Sequence, residues 1–311
     1  DFPDRQDPAD LKVTGDKHDH FSDQRVFYPC LPDLRGIPWS DRQWRGAFAC
    51  TDSPSSTTLG DILCPENLRH LPETEVLRDS RNRLWNIAHP LDSRRKLTVK
   101  LNRPTGIKRL SYFFKASKGL RHWNNASVML HRGIGTPAPV AYYERHHKSG
   151  IRLSYYICEF IADAFSSRHV CAAIEQGEEF FKGLSRQQWF EFLADFICRM
   201  HNAGIVHRDL SVGNLMLKLA DDGSVMPYLI DIGRARITRK GASGRYRLLD
   251  LMRICYKLSW PNRRIFIETY NRYWGKQLPA YWRLALGYYD FKQTTKKNLK
   301  KRFSRKKKET V

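Results

Sequence analysis

The chain has 311 residues and carries 54 Lys and Arg against 32 Asp and Glu, a formal net charge of +22. That length allows one large two-lobed unit or two domains with an ample core, and the charge predicts a polyanionic partner or surface. No apolar run approaches the roughly 20 residues of a membrane span, and seven scattered cysteines, without a Cys-x-x-Cys pair, argue for a reducing compartment and against a metal cluster.

Residues 1–72 are rich in Asp, Pro, Ser and Arg, with a low-complexity patch at Ser53–Thr58, and read as an extension of uncertain order. From Glu75 the pattern turns to strands at Val76-Leu77, Leu84–Ile87 and Leu97–Leu101. In the last of these, Leu97, Val99 and Leu101 share one face, which puts Thr98 and Lys100 on the other. A helix over about 117–131 carries Leu120, Trp123, Ser127 and Leu130 on one face, with Gly133 ending it. Strands at Val140–Tyr143 and Leu153–Cys158 follow, and the second leads into Glu159-Phe160-Ile161. Ser185 and Gln188 have the spacing of a capping box, opening a helix in which Trp189, Leu193, Phe196, Ile197 and Met200 recur at helical spacing until Gly204. Beyond it lie a short strand at Leu215–Leu217, a turn at Ala220–Ser224 and a strand at Tyr228–Ile230.

These elements frame two acidic motifs. His207-Arg208-Asp209 is followed by Asn214, five residues after the Asp, and Leu229-Ile230 delivers Asp231. ATP-dependent phosphoryl transfer needs this set: one Asp to accept or orient the attacking hydroxyl, and an Asn and a second Asp to bring oxygen ligands to Mg²⁺. Asp209 is therefore the expected base, and Asn214 and Asp231 the expected metal ligands. Lys100, on the cleft face of the third strand, is the candidate for the lysine on the ATP phosphates; the alternative is a solvated strand lysine, as at Lys96. Glu159 to Ile161 form the expected hinge, where backbone groups of Glu159 and Ile161 would hydrogen-bond adenine.

Two parts expected of a protein kinase are absent. No Gly-x-Gly-x-x-Gly precedes the second strand, where Arg78–Asn82 forms a polar turn that could bring Arg81 or loop amides to phosphate. Only sixteen residues, 234–249, separate Gly233 from Asp250, with no Ala-Pro-Glu, so a platform for a peptide substrate is missing and a small molecule or glycan is expected. That segment is basic (Arg234, Arg236, Arg239, Lys240, Arg245, Arg247), either a solvated face or a dock for an anionic acceptor.

Trp123 through Gly133-Ile134-Gly135-Thr136-Pro137, Met200 through Asp209, Ile230 through Arg236, and Arg247-Leu248-Leu249-Asp250-Leu251 together resemble the bacterial lipopolysaccharide kinase family, which includes core heptose kinases and 3-deoxy-D-manno-octulosonic acid kinases. The resemblance covers roughly residues 74–300. It implies an α+β, two-lobed protein-kinase-like fold, with a small antiparallel-sheet N-lobe holding one helix (73–161) and a mainly helical C-lobe (162–290). It further implies ATP with Mg²⁺ as cofactors, and a lipid A-core oligosaccharide acceptor phosphorylated on an inner-core sugar. By motif match Asp209 becomes the base, Asp231 the metal ligand and Lys100 the ATP lysine, and Arg208 favours the heptose branch. Where members often carry an acid before the Trp, this chain has His122. Other outcomes are a kinase for a protein or another small molecule, and an inactive pseudokinase scaffold.

The C-terminal tail, 291–311, holds ten basic residues between Lys292 and Lys308 and no acid in that stretch, while Phe291, Thr295, Leu299 and Phe303 fall four apart. This predicts a basic amphipathic helix for an anionic membrane surface, with a disordered tail as the alternative. No nucleic-acid partner is expected, because no recognised nucleic-acid module accompanies the charge. A cytoplasmic enzyme peripheral to the inner membrane is the resulting expectation.

Overall fold

The computed structural model describes residues 35–41, 43–50, 55–79, 82–105, 116–147 and 151–309. Arg81, most of the N-terminal extension and the side chains from Lys300 onward, including Phe303, lie outside the described residues. The chain divides into two compact units, Asp1–Ala164 with Met226–Arg234, and Phe165–Val225 with Ala235–Val311. One is rich in sheet and the other mainly helical, the bilobal arrangement of a protein-kinase-like fold.

The first unit is built on a seven-stranded antiparallel sheet. Its strands are β1 (Arg35–Ser40), β2 (Trp44–Cys50), β3 (Glu73–Arg78), β4 (Asn82–His89), β5 (Asp92–Asn102), β6 (Pro139–Arg145) and β7 (Leu153–Glu159), in the order β1-β2-β6-β7-β5-β4-β3. Two of them come from the segment read as an extension: β2 pairs with β6, Trp44 opposite Arg145 and Phe48 opposite Ala141. The short helices α1 (Ser55–Ile62) and α2 (Pro65–Leu68) follow β2, and Leu63 and Leu68 join the core on one face of the sheet with Leu97, Val99, Leu101 and Ile157.

The opposite face carries α3 (Lys118–His131), whose Leu120 and Trp123 pack on Tyr142, Tyr156 and Cys158. Ser117 caps the helix by accepting from the Leu120 amide. Two residues after the cap, Gly119 lets the helix lie directly on β7, because a Cβ there would meet the Tyr155 carbonyl at 2.5 Å. Trp123 is fully buried, so Trp123→Ala would cost about 3–5 kcal/mol through the cavity it leaves.

In the second unit, β8 (Phe165–Ser166) leads into α4 (Ser167–Gln176), and the small ribbon β9 (Phe180–Phe181) and β10 (Leu184–Ser185) precedes α5 (Arg186–Asn202). The expected capping box is present: Ser185 accepts from the Gln188 amide while the Gln188 side chain accepts from the Ser185 amide. After Gly204, which has a φ of +74° and no room for a Cβ beside the Thr238 carbonyl, come β11 (Ile205–Val206) and β12 (Leu215–Leu219). Next, β13 (Val225–Leu229) returns the chain toward Asp231, β14 (Arg236–Ile237) pairs with β11, and α6 (Gly244–Cys255), α7 (Trp260–Trp274) and α8 (Trp282–Glu309) complete the chain. Cys158, Cys171, Cys198 and Cys255 are buried free thiols, and burial pushes Cys171 up to about 12. Among the described residues no helix is long and apolar enough to cross a membrane.

Candidate active site

In the first unit, Lys100 stands on β5 directly opposite Tyr156 of β7. Residues opposed across an antiparallel pair point the same way, so Lys100 lies on the face that carries α3, as the alternation of Leu97, Val99 and Leu101 predicts. The chain segment that brings Asp231 is locked beside it by the Gly133–Pro137 motif. The Leu229 amide donates to the Gly135 carbonyl (2.9 Å) and Thr136 Oγ1 donates to the Leu229 carbonyl (2.8 Å). Gly135 has to be glycine, since a Cβ would collide with the Pro227 carbonyl.

Asp231 itself takes a left-handed backbone, φ +54°. A non-glycine residue pays for that conformation and holds it only where its surroundings enforce it. Here α3 contributes: Asn125 Nδ2 donates to the Ile232 carbonyl (2.7 Å), and His122 Nε2 lies 3.4 Å from Asp231 Oδ1. The His122 ring lies on Tyr156, centroids 5.1 Å apart, with Nδ1 2.7 Å from the Lys118 carbonyl. Burial lowers its pKa, outweighing the pull of Asp231, and the Lys100 charge lowers it further. So this unit brings Lys100, His122 and Asp231 together, with the Asp231 carboxylate exposed.

The segment expected as the hinge, Glu159 to Ile161, starts at the end of β7. The Glu159 amide donates to the Ala138 carbonyl and the Phe160 amide to the Lys96 carbonyl, both at 3.0 Å. The Glu159 carboxylate pairs with Arg95 at 2.6 Å; burial nevertheless raises its pKa.

In the second unit, the Asp209–Asn214 loop is held from beneath. Asp250 on α6 is fully buried and accepts from the His207 amide (2.6 Å) and the Arg208 amide (2.7 Å). Arg208 is left-handed, φ +63°, and this carboxylate holds it there. His201 Nε2 lies 3.5 Å from Asp250, and His201 Nδ1 2.8 Å from the Tyr270 hydroxyl. Within the loop, Asn214 Nδ2 donates to the Asp209 carbonyl (2.8 Å). A carbonyl can only accept, so the Asn214 amide nitrogen is committed inward and Oδ1 is the atom turned out. The loop thus brings Asp209 and Asn214 together.

The basic segment divides. Arg247 is buried and donates to the Ala242 carbonyl, the Tyr270 hydroxyl and Asn202 Oδ1, while lying 4.4 Å over Trp274. It is a framework residue, which corrects its reading as part of an acceptor dock. Arg234, Arg236, Arg239, Lys240 and Arg245 are exposed. Sequence reasoning noted Asp250 and His122 without giving either a part in the site. The Arg247-to-Asp250 spacing was the available signal for the first, and the missing helix acid for the second.

Residues 80–270 match the model of the lipopolysaccharide kinase (Kdo/WaaP) family. Of solved structures, WaaP in complex with acyl carrier protein is 20% identical, covering 78% of this chain and 96% of that one with a TM-score of 0.56. The Rio2 kinase–ADP/Mg²⁺–phosphoaspartate complex from Chaetomium thermophilum is 12% identical, covering 84% and 82%, with a TM-score of 0.44. No curated protein matches the chain. With the matched segment spanning Lys100, the Asp209 loop, Asp231 and Asp250, the chain belongs to the lipopolysaccharide kinase (Kdo/WaaP) family, phosphotransferases acting on lipopolysaccharide sugars.

Proposed function

We propose that the protein phosphorylates a hydroxyl of an inner-core heptose of lipopolysaccharide, using ATP and Mg²⁺. The reading rests above all on the loop in which Asn214 Nδ2 is bonded to the Asp209 carbonyl, and whose His207 and Arg208 amides are held by buried Asp250. In this reading the Asp209 side chain orients the acceptor hydroxyl and takes its proton. The donor set suits magnesium: a carboxylate (Asp231) and an amide oxygen (Asn214) are the hard ligands Mg²⁺ takes. Bound Mg·ATP supplies the transferable phosphoryl group and neutralises its charge. Lys100 adds a cation for the phosphates, and the adenine contacts fall to the Glu159 carbonyl and the Ile161 amide, since the Glu159 and Phe160 amides are donated within the fold. Arg208 and the resemblance it carries favour heptose over the octulosonic acid.

The acceptor is lipid-linked, and α8 suits a protein working at the cytoplasmic face of an anionic membrane. Arg263 pairs with Asp290 and Leu286 is buried, which fixes one side of the helix. Leu284, Tyr288, Phe291 and Leu299 are exposed on the other, with Lys292 and Lys296 beside them. An apolar stripe edged with cations binds such surfaces. Deleting residues 292–311 should sharply weaken sedimentation with anionic liposomes while sparing turnover on a delipidated core fragment, and salt should weaken binding of the intact chain. Equal liposome binding by the truncated chain would refute the membrane role.

The decisive experiment is mass spectrometry of core oligosaccharide from cells with and without the gene. Loss of one phosphate from a heptose is expected. An unchanged phosphate content would overturn the heptose reading, and Mg·ATP binding without turnover would indicate a scaffold.

A further inference from the structure

The face of the seven-stranded sheet turned away from Lys100 holds a second set of cations, which phosphoryl transfer does not use. Tyr155 precedes Tyr156 on β7 and so points to that face. Its ring packs against two tryptophans. It stacks on Trp44 of β2, centroids 5.7 Å apart, and meets Trp85 of β4 edge-on at 6.4 Å. Each tryptophan in turn carries an arginine: the Arg145 guanidinium lies 5.9 Å from the Trp44 ring centre, and that of Arg83 5.2 Å from Trp85. A guanidinium over an aromatic ring is attracted to it, so the packing that fixes Tyr155 also fixes both cations.

Two more arginines reach the same place from other elements. Arg69 ends α2 and Arg103 follows β5, and the charges of Arg103, Arg69, Arg145 and Arg83 are all felt at the Tyr155 hydroxyl. Little offsets them. Arg145 donates from Nε and Nη2 to Gln43 Oε1, and Arg69 donates from Nε to the Glu66 carbonyl and His70 Nε2, none of them a carboxylate. Among the described residues, the carboxylates paired with these four arginines are Glu73 and Asp79, 2.7 and 3.7 Å from Arg83. Arg83 Nε is buried without a hydrogen-bond partner. Four positive charges against two carboxylates leave two, close to the opposite charge of about −1.5 to −2 on a phosphomonoester at pH 7.

We infer that this rim of the sheet is a second anion site, in which Arg69, Arg83, Arg103 and Arg145 close on a phosphomonoester and the Tyr155 hydroxyl donates to it. A phosphomonoester presents three terminal oxygens, enough for several guanidinium forks, where a diester presents two. Because Lys100 is on the other face, the phosphate held here is one already in place on a sugar or a lipid headgroup, not the one being transferred.

The test titrates the intact chain with a hexose 6-phosphate by calorimetry, in excess Mg·ADP to occupy the nucleotide site, with melting temperature as the folding control. Arg103→Gln combined with Arg145→Gln should weaken binding roughly 10–100-fold, and Tyr155→Phe, which keeps the ring against both tryptophans, about tenfold, as for lost hydrogen bonds to a charged group. Arg94→Gln combined with Arg264→Gln removes the same charge from exposed positions elsewhere and should weaken it less than about twofold, because such charges are screened. Should Tyr155→Phe not fold, the arginine pairs decide alone. A second arm compares sedimentation with phosphatidylcholine liposomes containing phosphatidic acid, a monoester, or phosphatidylglycerol, a diester. A preference for phosphatidic acid that is lost with Arg103 and Arg145 assigns the site to a lipid headgroup. Hexose phosphate binding without that preference assigns it to a soluble phosphosugar. A wild-type chain that shows neither, or equal losses in the two arginine pairs, would overturn the site and leave the kinase reading standing.

Discussion

Two aspartates show how differently one side chain is used in the two units. Asp250 is fully buried, and its oxygens are occupied by the His207 and Arg208 amides. Asp231 carries an exposed side chain on a turn whose backbone is held by Asn125 on the Ile232 carbonyl and by Thr136 on the Leu229 carbonyl. Both serve a left-handed residue, Arg208 in one unit and Asp231 in the other. In the second unit the carboxylate itself restrains the strained residue. In the first, neighbours restrain the residue that bears the carboxylate. An aspartate whose lone pairs are consumed by backbone is an anchor; one whose backbone is held by others is available for chemistry.

The contrast is sharpest under substitution. Asp209→Ala should lower turnover roughly 10²–10⁴-fold, the loss expected for an orienting general base, and Asp231→Ala should abolish Mg-dependent ATP binding. Both variants should keep the fold, with the melting temperature as the control. If either variant kept near-wild-type turnover on the true acceptor, that residue's role would be misassigned.

Asp250→Ala should do the reverse. It strands the buried His207 amide and the part-buried Arg208 amide and removes the carboxylate beside His201, so stability should fall by about 3–5 kcal/mol, with activity lost through disorder of the loop. Denaturant unfolding measures this, and a loss below about 1 kcal/mol would contradict the anchoring role. Arg247→Lys tests the same framework more gently. A lysine cannot reproduce three divergent hydrogen bonds and the stack on Trp274, and a loss of about 2 kcal/mol is expected. Arg245→Ala, at an exposed neighbour, should leave stability unchanged.

What the sequence disclosed was local. The capping box at Ser185 and Gln188 and the alternation that turned Lys100 toward α3 depend on residues a few positions apart and have their expected geometry, and the short spacing from Asp209 to Asn214 lets the Asn214 amide reach the Asp209 carbonyl. What it concealed was long-range. Nothing local announces that Trp44–Phe48 will pair with Ala141–Arg145, since that register depends on partners almost a hundred residues away. Arg247 resembled its exposed neighbours because burial is not written in a charge run. The Gly133–Pro137 motif was legible as a pattern, but its purpose, bracketing Leu229 two residues before Asp231, needs the folded chain.

The smallest expected effect is a pH dependence centred on the Asp250 anchor. His201 is buried between Asp250 and the Tyr270 hydroxyl, with Arg247 close by. Burial lowers its pKa from the ordinary 6.5; Asp250 opposes this and Arg247 adds to it. Because the folded value lies below the unfolded one, the unfolded chain holds the extra proton in the interval between them. Stability is therefore full above pH 6.5 and drains away as the pH falls toward the folded value. His89 and His122, also lowered chiefly by burial, act with the same sign, so removing one histidine should reduce the slope rather than flatten it. Urea midpoints at pH 7.5 and 5.5 provide the measurement. His201→Gln, which can still meet the Tyr270 hydroxyl but does not titrate, should start lower at pH 7.5 and lose less between the two values than the wild type. An equal loss in both proteins would mean that His201 takes up its proton as readily in the folded chain as in the unfolded one, and that the acid sensitivity resides elsewhere.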